Sequence, residues 1–244
     1  MTKKICLVTG ATKGIGRAVA KMLLEEGFDV AICGRTQEGV DRAVRELHAE
    51  TGGKVAGKAA DVRSYEEVTG LFEFVDENFG GLDVLVNNAG VGVFRPVSEL
   101  KVQDWQLILE TNLSGVFYCC REAFPRFKTR GGGYIVNISS LAGKNPFAGG
   151  SAYNASKFGL NGFSEAMMLD ERNNNVRVSY IMPGSVATGF SGQAATDFSG
   201  HGADSGSDWK IHSEDIAEIV RTLLRMPERT LISRVEVRPS KPKK

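Results

Sequence analysis

The stretch Lys4-Ile5-Cys6-Leu7-Val8-Thr9-Gly10-Ala11-Thr12-Lys13-Gly14-Ile15-Gly16 carries an apolar, β-branched run straight into three glycines, after which an amphipathic helical pattern begins. A strand that feeds a helix through so tight a turn points the helix's unpaired N–H groups beyond the strand end, where they bind an anion. Gly10 permits the turn, Gly14 leaves room for a pyrophosphate beside the backbone, and Gly16 lets helix and sheet approach closely. Thr12, Lys13 and Ile15 fill the positions between. The three residues separating Gly10 from Gly14 depart from the commoner G-x-G-x-x-G spacing, so the place of the motif, after a first strand and before a first helix, carries the reading.

Working outward, short β-branched runs alternate with longer helical stretches over the whole chain. Strands are expected at residues 4–9, 29–34, 54–60, 82–87, 133–139, 177–182 and 231–238, and helices at 14–26, 37–51, 64–79, 102–128, 152–173 and 213–226. That alternation predicts an α/β fold: one doubly wound, parallel, seven-stranded sheet with helices on both faces, formed by a single domain spanning residues 1–244. Ser64 before Glu66-Glu67 and Ser213 before Glu214-Asp215 supply hydroxyls and acids for the first turns of two helices.

The composition fits such a domain. Of 244 residues, 42% are hydrophobic and 24% charged, enough to bury one large core. A net charge of +1 supplies no field for nucleic acid or an acidic membrane. No apolar run is long enough to span a bilayer, and Met1-Thr2-Lys3-Lys4 leads into a strand-like run rather than a signal sequence, so a cytoplasmic protein is expected. Cys6, Cys33, Cys119 and Cys120 lie in apolar contexts and read as buried thiols. His48, His201 and His212 are too scattered to suggest a metal site.

At the end of the second strand a dinucleotide with a free ribose 2′-hydroxyl is usually met by an acid. This chain has Cys33-Gly34-Arg35 there, and Arg35, joined by Lys13, suits a 2′-phosphate instead. NADP(H) is therefore the expected cofactor. Asp61-Val62 after the third strand either reads the adenine edge or caps a turn. Asn87-Asn88-Ala89-Gly90 ends the fourth strand and places Asn88, Ala89 and Gly90 along the crevice or in a simple turn.

Tyr153 and Lys157 stand four apart on one helix face, in Ser151-Ala152-Tyr153-Asn154-Ala155-Ser156-Lys157. Bringing a phenol from its ordinary pKa of about 10 into the neutral range takes roughly 4 kcal/mol. One ammonium about 4 Å away supplies about that much at an effective dielectric near 20.

Taken in order, Thr9 to Gly16, Asp61, Asn87 to Gly90, Asn112, Ser140, Tyr153, Lys157 and Pro183-Gly184 resemble the short-chain dehydrogenase/reductase family, from about Lys3 to Arg238. The resemblance implies a Rossmann-type fold and an oxidoreductase that moves a hydride between NADP(H) and a carbonyl or secondary alcohol. It implies that Tyr153 exchanges the proton and that Lys157 lowers its pKa and binds the nicotinamide ribose. Ser140 polarises the carbonyl, standing thirteen residues before Tyr153 and two before Ala142-Gly143. Asn112, within Glu110-Thr111-Asn112-Leu113, holds a water-linked proton path to Lys157, the alternative being a polar kink in the helix. Pro183-Gly184-Ser185-Val186-Ala187-Thr188 is similar to the nicotinamide-carboxamide loop, with Val186 and Thr188 fixing the ring.

Within the family, the pattern resembles 3-oxoacyl-carrier-protein reductases. The ending Arg234-Val235-Glu236-Val237-Arg238-Pro239 is closer to members acting on 3-hydroxy acids and small hydroxy compounds. Residues 189–212, rich in Gly, Ser, Ala and Asp with Phe190, Phe198 and Trp209 among them, form either a substrate lid or a plain surface loop. The resemblance also implies pairing of the long helices into a homodimer or homotetramer. A catalytically silent NADP(H)-binding regulator is the alternative, because a nucleotide fold does not by itself imply chemistry.

Overall fold

The computed structural model describes residues 3–188, 190 and 209–242. Seven strands, β1 (Ile5–Val8), β2 (Asp29–Gly34), β3 (Val55–Ala59), β4 (Val84–Asn87), β5 (Gly133–Ile138), β6 (Val176–Pro183) and β7 (Arg234–Val237), form one sheet in the order β3-β2-β1-β4-β5-β6-β7. Every neighbouring pair is parallel. The helices are α1 (Gly14–Glu25), α2 (Gln37–Thr51), α3 (Tyr65–Phe79), α4 (Val102–Leu109), α5 (Gly115–Arg130), α6 (Ser151–Glu171) and α7 (Ser213–Arg225). This is the expected Rossmann-type, doubly wound domain. The strand order reverses between β1 and β4, which opens a crevice at their carboxyl ends.

Alternate strand residues face opposite layers, and the two cores follow that alternation. Cys6, Val8, Val30, Ile32, Val84, Val86 and Val136 pack beneath α1, α2 and α7 through residues such as Val19, Leu23, Leu47 and Val220. Ile5, Leu7, Ala31, Cys33, Leu85 and Ile135 face the other way, onto Leu71 and Phe72 of α3, Phe127 of α5 and Leu160 of α6. All four cysteines are free and buried, and burial pushes their thiols up, Cys33 to about 11 and Cys120 to about 12. They are core side chains rather than nucleophiles. Among the described residues no helix is long and apolar enough to cross a membrane.

Three local details differ from expectation. The helix expected over residues 102–128 is divided by a π-helical turn, Glu110–Ser114, between α4 and α5. Its cause is Asn112, whose amide is drawn inward onto the loop after β4, accepting from Val91 N–H at 2.8 Å and donating to Val91 O at 2.9 Å. The N-cap of α7 is His212 rather than Ser213, because His212 N–H donates to the Asp215 carboxylate at 2.8 Å and the helix begins one residue later. The last strand starts at Arg234, since a turn closed by Thr230 N–H to Pro227 O precedes it. Ser64 caps α3 as expected, accepting from Glu67 N–H at 3.2 Å.

Gly133 opens β5 directly under the Phe127 ring, where an added Cβ would overlap ring carbons. Gly133→Ala is expected to destabilise the fold by about 1–3 kcal/mol through overpacking, read as a lower urea midpoint at unchanged slope. An unchanged midpoint would show that the ring moves aside freely.

Candidate active site

The glycine turn is laced to the neighbouring strand end. Thr9 Oγ1 accepts from Asn88 N–H and Ala89 N–H, both at 3.0 Å, while the Asn88 amide donates to Thr9 O and Gly10 O at 3.0 Å. Gly10 and Gly14 have φ of +63° and +57°. A Cβ on Gly16 would collide with the Asn88 amide and the Gly10 carbonyl. Asn88 thus spends both of its amide donors on holding the turn, and its position in the crevice is that of a clamp.

The N-terminus of α1 is left open for an anion. No acidic residue lies in its first turn, and Lys13, its N-cap, is exposed and makes no capping hydrogen bond. Thr12 packs on Gly34, where a Cβ would come within 2.6 Å of the Thr12 methyl, so the end of β2 lies against the turn. Arg35 follows, exposed and without an ion pair among the described residues. The open helix end, two cations without an ion pair among the described residues and glycine positions that leave no room for a side chain fit a dinucleotide.

Asp61 behaves as the turn-capping alternative foresees. It accepts from Arg63 N–H at 3.0 Å and is chelated by the Arg63 guanidinium, Nη2 to Oδ2 at 2.6 Å. Val62 is buried, and its carbonyl and side chain fill the space beside Gly115.

The other expected residues converge where β4 and β5 end. Ser140 Oγ accepts from Ala142 N–H at 3.1 Å, capping a short 3-10 turn, and lines the same cleft as the Tyr153 phenol. Its neighbour Ser139 is turned away to Asn161 Oδ1 at 2.5 Å. Lys157 Nζ donates to Ile138 O at 3.0 Å and lies 5.8 Å from the centre of the Tyr153 ring. Asn112 Nδ2 donates to Ser156 Oγ at 3.0 Å. A side chain at Gly90 would fall between Asn112 Oδ1 and Lys157 Nζ, at 3.4 and 3.9 Å, so the three surround one small space.

Across the crevice, the loop from Pro183 to Thr188 is pinned by Ala187 N–H to Ile211 O and Ile211 N–H to Ser185 O, at 2.8 and 3.0 Å. Thr188 overhangs the glycine turn, its methyl 3.4 Å from where a Gly14 Cβ would stand. Pro183 and Gly184 line a cleft of about 560 Å³ whose floor is Ser140 and Tyr153.

The chain's sequence matches the family model for short chain dehydrogenase over residues 4–198. The protein belongs to the short-chain dehydrogenase family.

Relatives of this short-chain dehydrogenase include a 3beta-hydroxysteroid dehydrogenase of Mediterraneibacter gnavus, 41% identical over 187 residues, which are 76% of this chain and 67% of that protein. An oxidoreductase of Staphylococcus saprophyticus is 30% identical over 97% of each chain. Among solved structures, a variant actinorhodin polyketide ketoreductase with NADPH superposes with a TM-score of 0.89 at 32% identity, covering 97% of this chain and 96% of that one. An alcohol dehydrogenase of the archaeon Thermococcus sibiricus, complexed with 5-hydroxy-NADP, gives 0.87 at 27% identity, covering 99% and 100%.

Several residues of the dehydrogenase's cleft escape sequence reading. Phe94 stands edge-on to Tyr153 with ring centres 5.5 Å apart, and Phe147 packs edge-on to Phe94 at 5.4 Å. Asn145, Arg238, Pro239 and Pro242 complete the wall. Large apolar side chains in irregular segments were the available signal for the phenylalanines. Of the expected lid, residues 189 and 191–208, Phe198 included, lie outside the described residues. At its described ends, Phe190 packs on Tyr153 with centres 6.0 Å apart and Trp209 lines the cleft.

Burial dominates the electrostatics of the pair. It pushes the Tyr153 phenol up, opposed by the nearby Ser140 hydroxyl. Lys157 itself is drawn down to about 8 by burial. Its ammonium is directed at the Ile138 carbonyl and lies over the ring, which leaves it little direct hold on the phenolic proton in the unliganded protein.

A buried lysine whose folded pKa is depressed sheds its proton before the unfolded chain does, so stability rises with pH between about 8 and 10.5. Lys157→Met removes that dependence. The variant's stability relative to wild type is expected to be greatest near pH 7 and to fall by about 3 kcal/mol by pH 10.5, in paired urea titrations. A difference that does not change with pH would mean the native amine is solvated.

Proposed function

We propose that this dehydrogenase is an NADP(H)-dependent cytoplasmic enzyme that interconverts a ketone or aldehyde and the corresponding alcohol, with Asn112, Ser140, Tyr153 and Lys157 as its working residues. The observation that carries the reading is that the Ser140 hydroxyl and the Tyr153 phenol line one cleft, with the Lys157 amine buried on the same helix as Tyr153. The NADP-bound structural relatives and the cations Lys13 and Arg35 support the choice of cofactor.

The nicotinamide, when bound, supplies the hydride to the carbonyl carbon or takes it from the alcohol. In reduction the Tyr153 phenol gives its proton to the carbonyl oxygen while the Ser140 hydroxyl holds that oxygen in place. The carbon gains a hydride and the oxygen a proton, leaving an alcohol and a phenolate. Lys157, mostly protonated below its pKa of about 8, stabilises that phenolate, and the proton is restored through the space it shares with Asn112 and Gly90. In oxidation the same steps run backward.

The cleft's walls, Phe94, Phe147, Phe190 and Trp209, suit a substrate with an apolar body, and Arg238 at the rim suits a polar or anionic end. A 3-oxoacyl compound or 3-hydroxy acid has that layout. The outer face of α5 and α6 exposes Phe117, Phe158 and Leu169, which favours self-association into a dimer or tetramer. Light scattering is expected to give an even multiple of the 26.4 kDa protomer, and a strict monomer at micromolar concentration would refute this.

Screening NADPH consumption across 3-oxo esters, 3-oxo acids, diketones and aldehydes is expected to find turnover. Tyr153→Phe should lower kcat by about 10²–10⁴-fold with NADPH still bound. Undiminished turnover in that variant would remove the phenol from the reaction. Tight NADPH binding with no turnover in the wild type would instead favour a silent regulator.

A further inference from the structure

The ends of β2 and β3 lie side by side. Gly34 pairs with Ala59 in the parallel ladder, and Ala60 N–H donates to Gly34 O at 2.9 Å. Arg35 and Asp61 therefore leave the sheet from adjacent strands, beside the glycine turn, since Ala11 N–H donates to Cys33 O at 3.0 Å. An arginine and an aspartate so placed ordinarily pair with each other. Here they do not.

Asp61 is taken instead by Arg63. Arg63 Nε donates to both carboxylate oxygens, at 3.0 and 2.9 Å, and Nη2 donates to Oδ2 at 2.6 Å. The Arg63 backbone N–H adds a bond at 3.0 Å, and Glu67 fixes the Asp61 backbone N–H at 2.8 Å. With its lone pairs engaged on the far side, the carboxylate leaves Arg35 exposed and unpaired among the described residues.

We infer that Arg63 is a positioning residue for cofactor choice: by chelating Asp61 it keeps the Arg35 guanidinium available to a ribose 2′-phosphate. The inference rests on the NADP(H) reading above. The Asp61 carboxyl is held below the usual carboxylate range, chiefly by its hydrogen bond to Arg63, with Arg35 the weakest contributor. It therefore stays negative at any working pH, and protonation cannot substitute for Arg63. Losing Arg63 leaves Arg35 as the remaining cation acting on Asp61 among the described residues, and the two pair at the expense of the phosphate.

Calorimetry with adenosine 2′,5′-bisphosphate and 5′-AMP tests this without turnover, because the ratio of their Kd values isolates the 2′-phosphate and cancels any change in adenine contacts. The wild type is expected to favour the bisphosphate. Arg63→Ala should reduce that preference about tenfold while 5′-AMP affinity stays within about twofold. Adding Asp61→Asn to that variant should restore the preference to within about threefold of wild type. In an Arg35→Ala background, removing Arg63 should leave the ratio within about twofold.

A preference retained in Arg63→Ala, an equal loss for both ligands, failure of the Asp61→Asn rescue, or a further loss in the Arg35→Ala background would each overturn the inference alone. A wild type without preference defeats the NADP(H) reading and the inference with it.

Discussion

An amine in the interior with one backbone carbonyl for company is the constraint around which this domain is arranged. Lys157 is 5% exposed, donates to Ile138 O and has no carboxylate partner among the described residues. Burying a cation in this way is unfavourable, and its drop to about 8 measures that. The surroundings hold it regardless. Below it, Asn87 Nδ2 donates to Asn137 Oδ1, Asn137 Nδ2 to Ser164 Oγ, and Ser164 Oγ to Leu160 O, at 2.9, 2.8 and 2.7 Å. That chain binds β4, β5 and α6 into one block, so the amine cannot escape by tilting its helix.

Around this rigid block the rest of the cleft is assembled from separate loops. Phe94 follows β4, Phe147 follows β5, Phe190 follows β6 and Arg238 follows β7. Each wall hangs from the end of a different parallel strand, so its side chain can change without disturbing the hydrogen bonds of Tyr153, Ser140 or Lys157.

Legibility from sequence followed the same division. The alternating apolar runs specified seven parallel strands because the central ones bury both faces, and the glycine turn located the crevice because a Cβ at Gly16 has nowhere to go. Helical spacing singled out Tyr153 and Lys157 as a pair, whereas Ser140 came only from the family resemblance. The π-turn was not, because no residue type in Glu110–Ser114 breaks a helix; the cause is Asn112's tertiary grip on Val91. Asp61's partner was hidden because the chelating Arg63 is only two residues away, a spacing that carries no pattern of its own. The depressed Lys157 is likewise a property of depth, which the linear chain does not display.

The π-helical turn confines the effect of its additional residue to one place. In a regular helix one more residue would shift the phase of everything downstream by about 100°. Taken up by the wider turn, it leaves Val116, Cys119, Ala123 and Phe127 against the sheet and Phe117 outward. A single-residue deletion between Glu110 and Ser114 would therefore return the turn to regular α-helix and leave the sheet-facing stripe of α5 where it is, while withdrawing Asn112 from Val91. The surplus residue is thus spent on the proton path alone, and the packing of the helix beyond it does not depend on its presence.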